Sequence, residues 1–345
     1  MRNPMTLGRS LLMGLLAMLA VTVSAGARVT RHRVGSPVDA TPKLQGPAYT
    51  LGGGAKDVFE ALQWMIDQVR GEDAAAKVDV VVLRATGGDA YNPRILSLDG
   101  VNSVETLVLT SREDSEDPEV EATVRRAEVV FFAGGNQCHY VKYFQGTRLD
   151  AAVKSVVARG GAVGGTSAGC AILGPVVFDA CRLGAKSELT SAKALADPYH
   201  PEISFTTDWF RWPHLEGVLT DTHFVPRNRM GRTMAFLARL VQDGVTPRAL
   251  GVAVNERTSL VVDRNGLARV AGEGPVFMVL ADHRPEVCQP GRPLSYLGFK
   301  VWRLGPGQTF DLAHRPTSGF TLRSVVKGQI SEDPYLEAPA SSPQP

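Results

Sequence analysis

Apolar runs that are typical of buried strands alternate with amphipathic segments along the first half of the chain. Residues 78–83 (VDVVVL) and 128–133 (EVVFFA) are near-continuous apolar runs, as in strands covered on both faces of a parallel sheet. Residues 57–69 place apolar side chains four, three and four positions apart, which predicts a helix. Further strands are predicted at 47–51 and 107–109, and further helices at 119–127, 140–144 and 149–159. The alternation predicts an α/β fold with a doubly wound sheet.

The second half of the chain follows a different pattern. A strand at 218–220 leads towards an amphipathic helix that begins near Asn228. From Leu250 onward strand patterns dominate, and DRNG at 263–266 is typical of a hairpin turn. We interpret these strands as a mostly antiparallel extension of the same sheet. The aromatic and proline-bearing region 179–215 is expected to contribute a lid or a pocket wall.

Both ends of the chain differ from its centre in composition. Residues 1–27 combine a basic start, a short apolar run and small residues, which is typical of a cleavable secretory signal peptide. A retained N-terminal anchor is the alternative. Residues 28–46 predict a flexible lead-in, 47–329 a single α/β domain, and 330–345 a disordered tail. We therefore expect an exported protein, either periplasmic or extracellular.

Removal of this leader would make the mature chain formally neutral. Arg2 and Arg9 lie in the leader, so Lys and Arg fall from 37 to 35 and equal the 35 acidic residues. A neutral chain gives no electrostatic case for binding nucleic acid or an anionic membrane surface. A homodimer is an option that the sequence leaves open.

The four cysteines are Cys138, Cys170, Cys181 and Cys288, and none of them forms a CxxC pair. That spacing argues against a zinc site. Export would permit disulfides, and four cysteines allow three pairings, but buried free thiols are an equal alternative. A bridge from Cys170 would tether the segment that follows Ser167.

Ser167 lies between small residues at a predicted strand-to-helix turn, in the sequence GTSAG at 165–169. Gly-x-Ser-x-Gly is the pattern of a nucleophile elbow, in which a tight turn exposes the serine. The glycines fit this interpretation because the backbone there is strained and closely approached. A glycine-rich turn that packs closely or binds phosphate is the alternative.

A nucleophilic serine needs a base, and the base needs an orienting group. His223 directly follows a predicted strand and is the best candidate for the base, with His139 as its competitor. The candidate orienting acids are Asp221, Glu256, Asp179 and Glu188. Asp221 lies two residues from His223, on the same side of the strand.

Three arginines, Arg227, Arg229 and Arg232, follow the candidate base. Arginine suits bidentate binding of a carboxylate, so this cluster indicates a substrate that carries a free carboxylate. A solvated basic helix face is the alternative interpretation.

Four motifs of the chain resemble the cyanophycinase family, a group of serine peptidases that also contains aspartyl dipeptidases. They are FFAGGNQ at 131–137, GGTSAG at 164–169, DTHFVPRNRMGR at 221–232 and GVAVNERTSLVV at 251–262, within a resemblance that spans roughly 48–310. The resemblance implies a three-layer α/β/α fold that is flavodoxin-like and similar to class I glutamine amidotransferases. It also implies hydrolysis of peptide bonds that involve aspartate. Cyanophycinases release β-Asp-Arg dipeptides from a polymer with an Asp backbone and Arg branches.

The resemblance also implies a role for each matching residue. Ser167 would be the nucleophile, His223 the base and Glu256 the orienting acid. The matching pocket positions are Gln137, Asp221, Arg227, Arg229 and Arg232. We place the oxyanion hole at the N–H groups of Gly135 and Ala168. No metal or organic cofactor is expected, and the expected partner is a peptide or an Asp/Arg polymer.

The chain departs from the family pattern at three positions. Thr222 stands where cyanophycinases usually have glutamine, Asn255 where they have aspartate, and Cys170 where they have alanine. The triad survives these changes, but strict specificity for cyanophycin does not follow. An Asp-x or isoaspartyl dipeptidase and a non-catalytic binding protein are therefore alternatives. An α/β-hydrolase is disfavoured because its acid precedes its histidine, whereas Glu256 follows His223.

Overall fold

A computed structural model of the chain describes residues 29–184 and 187–336. The predicted signal peptide and residues 337–345 of the predicted tail lie outside the described residues. Within the described ranges, none of the helices is long and apolar enough to cross a membrane.

The strands, in chain order, are β1 (Thr30–Gly35), β2 (Ala48–Gly52), β3 (Val78–Arg84), β4 (Val101–Val108), β5 (Val129–Phe132), β6 (Ala162–Thr166), β7 (Val176–Phe178), β8 (Phe205–Thr207), β9 (Val218–Asp221), β10 (Ala249–Val254), β11 (Thr258–Val262), β12 (Leu267–Gly272), β13 (Val276–Ala281), β14 (Tyr296–Leu304), β15 (Thr309–Asp311), β16 (Thr321–Val326) and β17 (Gln329–Ile330).

The helices are α1 (Phe59–Arg70), α2 (Asn92–Leu96), α3 (Arg112–Ser115), α4 (Pro118–Arg126), α5 (Gln137–Phe144), α6 (Arg148–Ala158), α7 (Ala168–Ala171), α8 (Ser191–Ala196) and α9 (Met230–Gln242). The helices predicted from periodicity at 57–69, 119–127 and 149–159 are confirmed as α1, α4 and α6, with ends that differ by one or two residues.

One sheet of nine strands carries the parallel core of the fold. Its order is β1-β4-β3-β5-β6-β2-β11-β12-β15. The strands from β4 to β2 are mutually parallel. At one edge β1 pairs antiparallel with β4, and on the other side β11, β12 and β15 each pair antiparallel with the strand before them in this order. The carboxyl ends of the parallel strands therefore meet at one edge, where ligands bind in such sheets.

A second sheet corrects the prediction that all C-terminal strands extend the first one. Its eight strands follow the order β17-β16-β14-β13-β10-β9-β7-β8. Of the C-terminal strands, only β11, β12 and β15 join the first sheet; the others lie with β7, β8 and β9 in the second, where β10 pairs with β9. A strand pattern in the sequence does not specify the pairing partner, and this limit explains the error.

Alternating side chains of β3 enter two different cores, which explains its near-continuous apolar sequence. Val80 and Val82 pack in one cluster with the apolar side of α1. Val81 and Leu83 pack in another cluster, together with α4 and α6. Helices therefore cover both faces of the parallel strands.

The second of these clusters also joins the two sheets. It contains Leu51 and Leu260 from the first sheet and Val252 and Met278 from the second, all fully buried. The other face of the second sheet packs against α9, for example through Phe277. The two sheets thus share one apolar core and belong to one compact body.

Residues 30–35 are not part of a flexible lead-in, contrary to the prediction for 28–46. They form β1, which pairs antiparallel with β4 along its whole length. Arg31 lies on this strand and donates a hydrogen bond of 3.2 Å to Glu105 of β4. Backbone pairing, rather than an apolar pattern, orders this polar segment.

The predicted disorder of the tail is likewise wrong for its first residues. Tyr335 packs its ring edge-on against Phe224 and Phe277, with ring centroids 5.9 and 5.7 Å apart. Its hydroxyl accepts a hydrogen bond of 3.0 Å from the Met230 backbone at the start of α9. One aromatic side chain therefore fixes the segment that follows β17.

Candidate active site

Ser167 occupies the sharp turn between β6 and α7, as the elbow motif predicts. Its backbone has φ 52° and ψ −120°, a conformation that a residue with a side chain rarely adopts. The flanking glycines are required by close approach. A Cβ on Gly165 would lie 2.5 Å from the Gly169 carbonyl oxygen, and one on Gly169 would lie 2.1 Å from that of Phe132. The Gly-x-Ser-x-Gly pattern is therefore a steric necessity of this turn.

His223 and Glu256 complete a continuous line of hydrogen bonds from Ser167. The Ser167 Oγ lies 2.7 Å from His223 Nε2, and His223 Nδ1 lies 2.7 Å from Glu256 Oε1. A carboxylate can only accept, so Nδ1 carries the proton and Nε2 is left to accept from the serine hydroxyl. This tautomer is the one in which histidine can act as a base towards Ser167.

The electrostatic environment keeps His223 uncharged near neutral pH. Burial lowers the pKa of His223 below its ordinary value of about 6.5. The positive charges of Arg227 and Arg229 act in the same direction, whereas Glu256 opposes the shift. A neutral imidazole is the form that can accept the serine proton.

Two other candidates, Asp179 for the acid and His139 for the base, lie away from the cleft. Asp179 accepts hydrogen bonds from Thr206, at 3.1 Å, and from Ser204. His139 stacks on the ring of Tyr143, with centroids 5.4 Å apart. Neither residue lines the cleft beside Ser167. The structure therefore brings Glu256, and not the alternatives, to the Nδ1 side of the histidine.

A cleft of about 460 Å³ opens beside Ser167 and His223. We call it the active-site cleft. It is bounded by the loop after β5, by the segment between β7 and α8, and by the segment that runs from β9 into α9. The residues that line it are Gly135, Asn136, Gln137, Ser167, Ala168, Phe178, Ala180, Leu183, Gly184, Ser187, Glu188, Thr222, His223, Arg227, Arg229 and Arg232.

The two residues predicted to form the oxyanion hole both line this cleft. Ala168 is the first residue of α7, so its N–H has no acceptor within the helix. Gly135 lies in the loop after β5 and lines the same cleft as Ser167. The adjacent Gly134 is close to the nucleophile, since a Cβ there would lie 3.5 Å from Ser167 Cβ. Both predicted residues of the oxyanion hole therefore border the cleft that Ser167 lines, which is where an oxyanion would form.

Asp221 does not face the cleft, which corrects its predicted place as a pocket residue. Its side chain is 5% exposed and accepts hydrogen bonds from Arg232 and Thr233 of α9. It also lies 3.5 Å from Arg229. Burial alone would raise the pKa of Asp221, but the charges of Arg232 and Arg229 hold that pKa below its ordinary value. Asp221 is therefore a buried anion that holds Arg229 and Arg232 in place through contacts on the side away from the cleft.

The three arginines are paired to different degrees. Arg232 directs two nitrogens at Asp221. Arg229 donates to the Thr222 carbonyl oxygen at 2.8 Å and to Glu188 at 2.6 and 3.1 Å. Arg227 is 43% exposed and lies 4.0 Å from Glu188. Arg227 is thus the cation of the three that is most open to the cleft.

Glu188 is a cleft residue whose place the sequence did not indicate. The sequence makes it a candidate for the orienting acid, but its carboxylate pairs with Arg229 instead. Burial would raise the pKa of Glu188, yet the hydrogen bond and charge of Arg229 keep it below the ordinary value. The region 179–215 supplies this residue and so confirms the expected pocket wall. Trp209 and Trp212 of that region lie in the core instead.

A disulfide connects this wall to the helix that carries Gln137. Cys138 and Cys181 are bonded, while Cys170 and Cys288 are buried free thiols. Gln137 itself lines the cleft and donates a hydrogen bond of 3.2 Å to the Phe178 carbonyl oxygen. A hydrogen bond to the last residue of β7 and a disulfide to the segment after β7 thus hold α5 in place.

Comparisons with known proteins agree with the geometry. The model of Peptidase family S51 matches residues 94–196, which include Ser167. The cyanophycinase of Nostoc sp. is 28% identical over 287 residues, which cover 80% of this chain and 89% of that protein. The cyanophycinase of Synechococcus elongatus is 30% identical over 218 residues, or 62% of each protein. A crystal structure of a peptidase from an acI-B1 Actinobacterium shares the fold, with 17% identity, a TM-score of 0.52, and coverage of 78% of this chain and 98% of that chain.

A mixed α/β fold with serine, histidine and glutamate in one hydrogen-bonded line is the arrangement of triad-type serine hydrolases. Within the triad-type serine hydrolases, the comparisons point to the peptidases. The chain is similar to peptidase family S51 over residues 94–196 and to a cyanophycinase over 80% of its length, and it is a serine-type peptidase. The resemblance seen in the four sequence motifs is thereby confirmed.

The buried charge of Asp221 predicts a large stability effect. We expect Asp221→Asn to lower the free energy of unfolding by about 3–5 kcal/mol, because it leaves the buried Arg232 and Arg229 without their shared anion. The matched control is Asp208→Asn, in an exposed pair with Arg211, for which we expect a loss of at most about 1 kcal/mol. Urea denaturation measures both. Equal losses would contradict the role given to Asp221.

The depressed pKa of His223 predicts the pH dependence of hydrolysis. Activity requires the neutral imidazole, so kcat/KM should fall as the pH falls through a midpoint below about 6.5. Arg227→Ala removes a positive charge that lowers this pKa and should move the midpoint to higher pH. Arg211→Ala, on the exposed pair remote from the cleft, serves as control. A midpoint that Arg227→Ala leaves in place would argue against this electrostatic coupling.

Proposed function

We propose that this protein is an exported serine exopeptidase that hydrolyses peptide bonds involving aspartate, through an acyl-enzyme on Ser167. One observation carries the proposal. The Ser167–His223–Glu256 line ends at a cleft whose wall carries arginines. A triad supplies the chemistry, and cationic side chains beside it favour a substrate with a carboxylate near the scissile bond.

Acylation begins when His223 Nε2 takes the proton of the Ser167 hydroxyl. Oγ attacks the carbonyl carbon of the amide, and the carbonyl oxygen becomes an oxyanion between the N–H groups of Ala168 and Gly135. Glu256 stabilises the imidazolium through Nδ1–H. The imidazolium then donates its proton to the leaving nitrogen, the C–N bond breaks, and an ester on Ser167 remains.

Deacylation repeats these steps with water as the nucleophile. His223 removes a proton from the water, whose oxygen attacks the ester carbonyl. Collapse of the second tetrahedral intermediate breaks the bond to Oγ, and His223 returns the proton to Ser167. The products are the free amine from the first step and a carboxylic acid from the second.

The pairing of the arginines indicates how a substrate carboxylate would bind. Asp221 is hydrogen-bonded to Arg232, so this guanidinium is the one of the three least available to a substrate carboxylate. Arg227 is half-exposed, and Arg229 bonds to the half-exposed Glu188. A substrate carboxylate would bind Arg227 and compete with Glu188 for Arg229. Gln137 lines the same cleft and would supply a neutral hydrogen-bonding group.

Cyanophycin is the first candidate substrate, since the resemblance of the four sequence motifs and the names of the relatives both point to it. On this substrate the enzyme would release β-Asp-Arg dipeptides. A dipeptidase that acts on Asp-x or isoaspartyl dipeptides is the second candidate. It is favoured by Thr222, which replaces the usual glutamine and lines the cleft, where it alters the surface that a substrate meets.

Export is the part of the proposal that concerns location. The leader pattern at 1–27 supports it, and so does the Cys138–Cys181 disulfide, because structural disulfides are typical of oxidising compartments. An exported enzyme of this kind would act on peptide or polymer released by other cells.

We also propose the three-layer, flavodoxin-like arrangement for the fold. It is supported by the parallel strands from β4 to β2, with α1 against one face and α4 and α6 against the other. The second sheet is an addition to that arrangement.

Ser167→Ala should lower peptide hydrolysis by at least about 10⁴-fold, since no nucleophile remains, while the thermal unfolding temperature stays near that of the wild type. Ser97→Ala, at an exposed end of α2, is the control and should keep full activity. The assay follows amine release from cyanophycin and from Asp-x and isoaspartyl dipeptides. Near wild-type turnover by Ser167→Ala would contradict the mechanism.

The same substrate panel separates the two candidate functions. Release of β-Asp-Arg from the polymer supports the cyanophycinase assignment. Cleavage of the dipeptides alone supports the dipeptidase, and cleavage of neither, in a folded protein, contradicts the proposed function and favours a binding protein.

A further inference from the structure

One loop of three glycines is hydrogen-bonded to the backbone of Ser167, of His223 and of the residue that follows Glu256. Gly52–Gly54, here called the glycine loop, begins with the last residue of β2 at the carboxyl edge of the first sheet. Its three successive carbonyl oxygens accept hydrogen bonds from the N–H groups of Ser167 at 2.9 Å, His223 at 2.9 Å and Arg257 at 3.0 Å. Arg257 directly follows Glu256. A single short loop is therefore bonded to all three segments that supply the triad.

The three residues held by the glycine loop share an unusual backbone conformation. Ser167, His223 and Arg257 have φ values of 52°, 48° and 54°. Residues with side chains adopt positive φ only where their surroundings enforce it, at a cost of order 1–3 kcal/mol each. The loop carbonyls bind each of these N–H groups, so the loop is part of what enforces these conformations.

The glycines are required because the triad lies directly against them. A Cβ on Gly53 would lie 1.8 Å from the Asn255 carbonyl oxygen. At Gly54, where φ is +95°, a Cβ would lie 2.5 Å from His223 Cε1, 2.6 Å from His223 Nε2 and 3.0 Å from Ser167 Cβ. The three atoms nearest to that position thus all belong to the proposed nucleophile and base.

We infer that the glycine loop is the positioning element of the triad, and that Gly54 is a positioning residue that sets the distance between His223 and Ser167. The inference rests on the proposed function for the reaction it serves. Any side chain at Gly54 would press on the imidazole edge that faces Ser167. A displacement of about 1 Å in such a geometry costs about 10²-fold in rate.

The test compares Gly54→Ala with Gly88→Ala in the full chain. Gly88 is a suitable control because nothing lies within 4 Å of its Cβ position and its φ is not positive. For Gly54→Ala we expect kcat to fall by about 10²-fold or more, with KM changed by less than about 3-fold. Gly88→Ala should keep the wild-type kcat.

A second readout makes the test independent of the peptide substrate. The rate of Ser167 modification by a fluorophosphonate depends on the same serine–histidine geometry and should fall with kcat in Gly54→Ala. If the wild type is modified rapidly but cleaves no peptide, the proposed substrate fails while the positioning role can still be judged from the modification rates.

The inference is overturned if Gly54→Ala is modified and turns over like the wild type, or if Gly88→Ala loses as much. Should Gly54→Ala not fold, Gly52→Ala provides a milder change, since its Cβ would lie 3.1 Å from the Gly165 carbonyl oxygen. We expect that variant to fold and to lose about 10-fold in kcat and in modification rate. Unchanged rates in it would equally contradict the inference.

Discussion

The site depends on the junction between two sheets. Ser167 follows β6 of the first sheet, and His223 follows β9 of the second. Glu256 lies where the chain passes from β10 in the second sheet to β11 in the first. The hydrogen bonds of the triad therefore connect residues from two sheets. Their lengths are kept only while the shared core holds the two sheets in a fixed relative position. Stability of that core and catalytic geometry are coupled for this reason.

The charges around the cleft follow from the same constraint. The start of α9 and the residue before it place Arg232 and Arg229 in the wall of the cleft, where unpaired guanidinium groups would be costly to bury. Asp221, at the end of β9, is buried and supplies the compensating negative charge to Arg229 and Arg232. The cleft side of these arginines is left to Glu188 or a substrate. The histidine stays neutral among cations, which suits a base, while Glu256 fixes its tautomer. The buried ion pairs of Asp221 therefore neutralise the arginines beside the triad without forming bonds to Ser167, His223 or Glu256.

Local features of the sequence predict much of this. The strands predicted from the apolar runs at 78–83 and 128–133 are confirmed as β3 and β5. A strand buried on both faces needs apolar side chains at nearly every position, and a single sequence shows that pattern. Ser167 could be found from the glycines around it, since close backbone approach excludes side chains there. The prediction that Asp221 lines the pocket is wrong. Strand periodicity shows on which side of the strand the side chain lies, but it does not show that side chains of α9 bind it. The glycine loop had a visible signal, three glycines after a strand, but its partners are 113 or more residues away and only the fold reveals them.

The most direct test of the triad is mass spectrometric mapping of the protein after reaction with a fluorophosphonate. The account predicts a single adduct on the peptide that contains Ser167, formed rapidly by the wild type and at least about 10²-fold more slowly by His223→Ala. An adduct on another residue, or equal rates in the two proteins, would contradict the account.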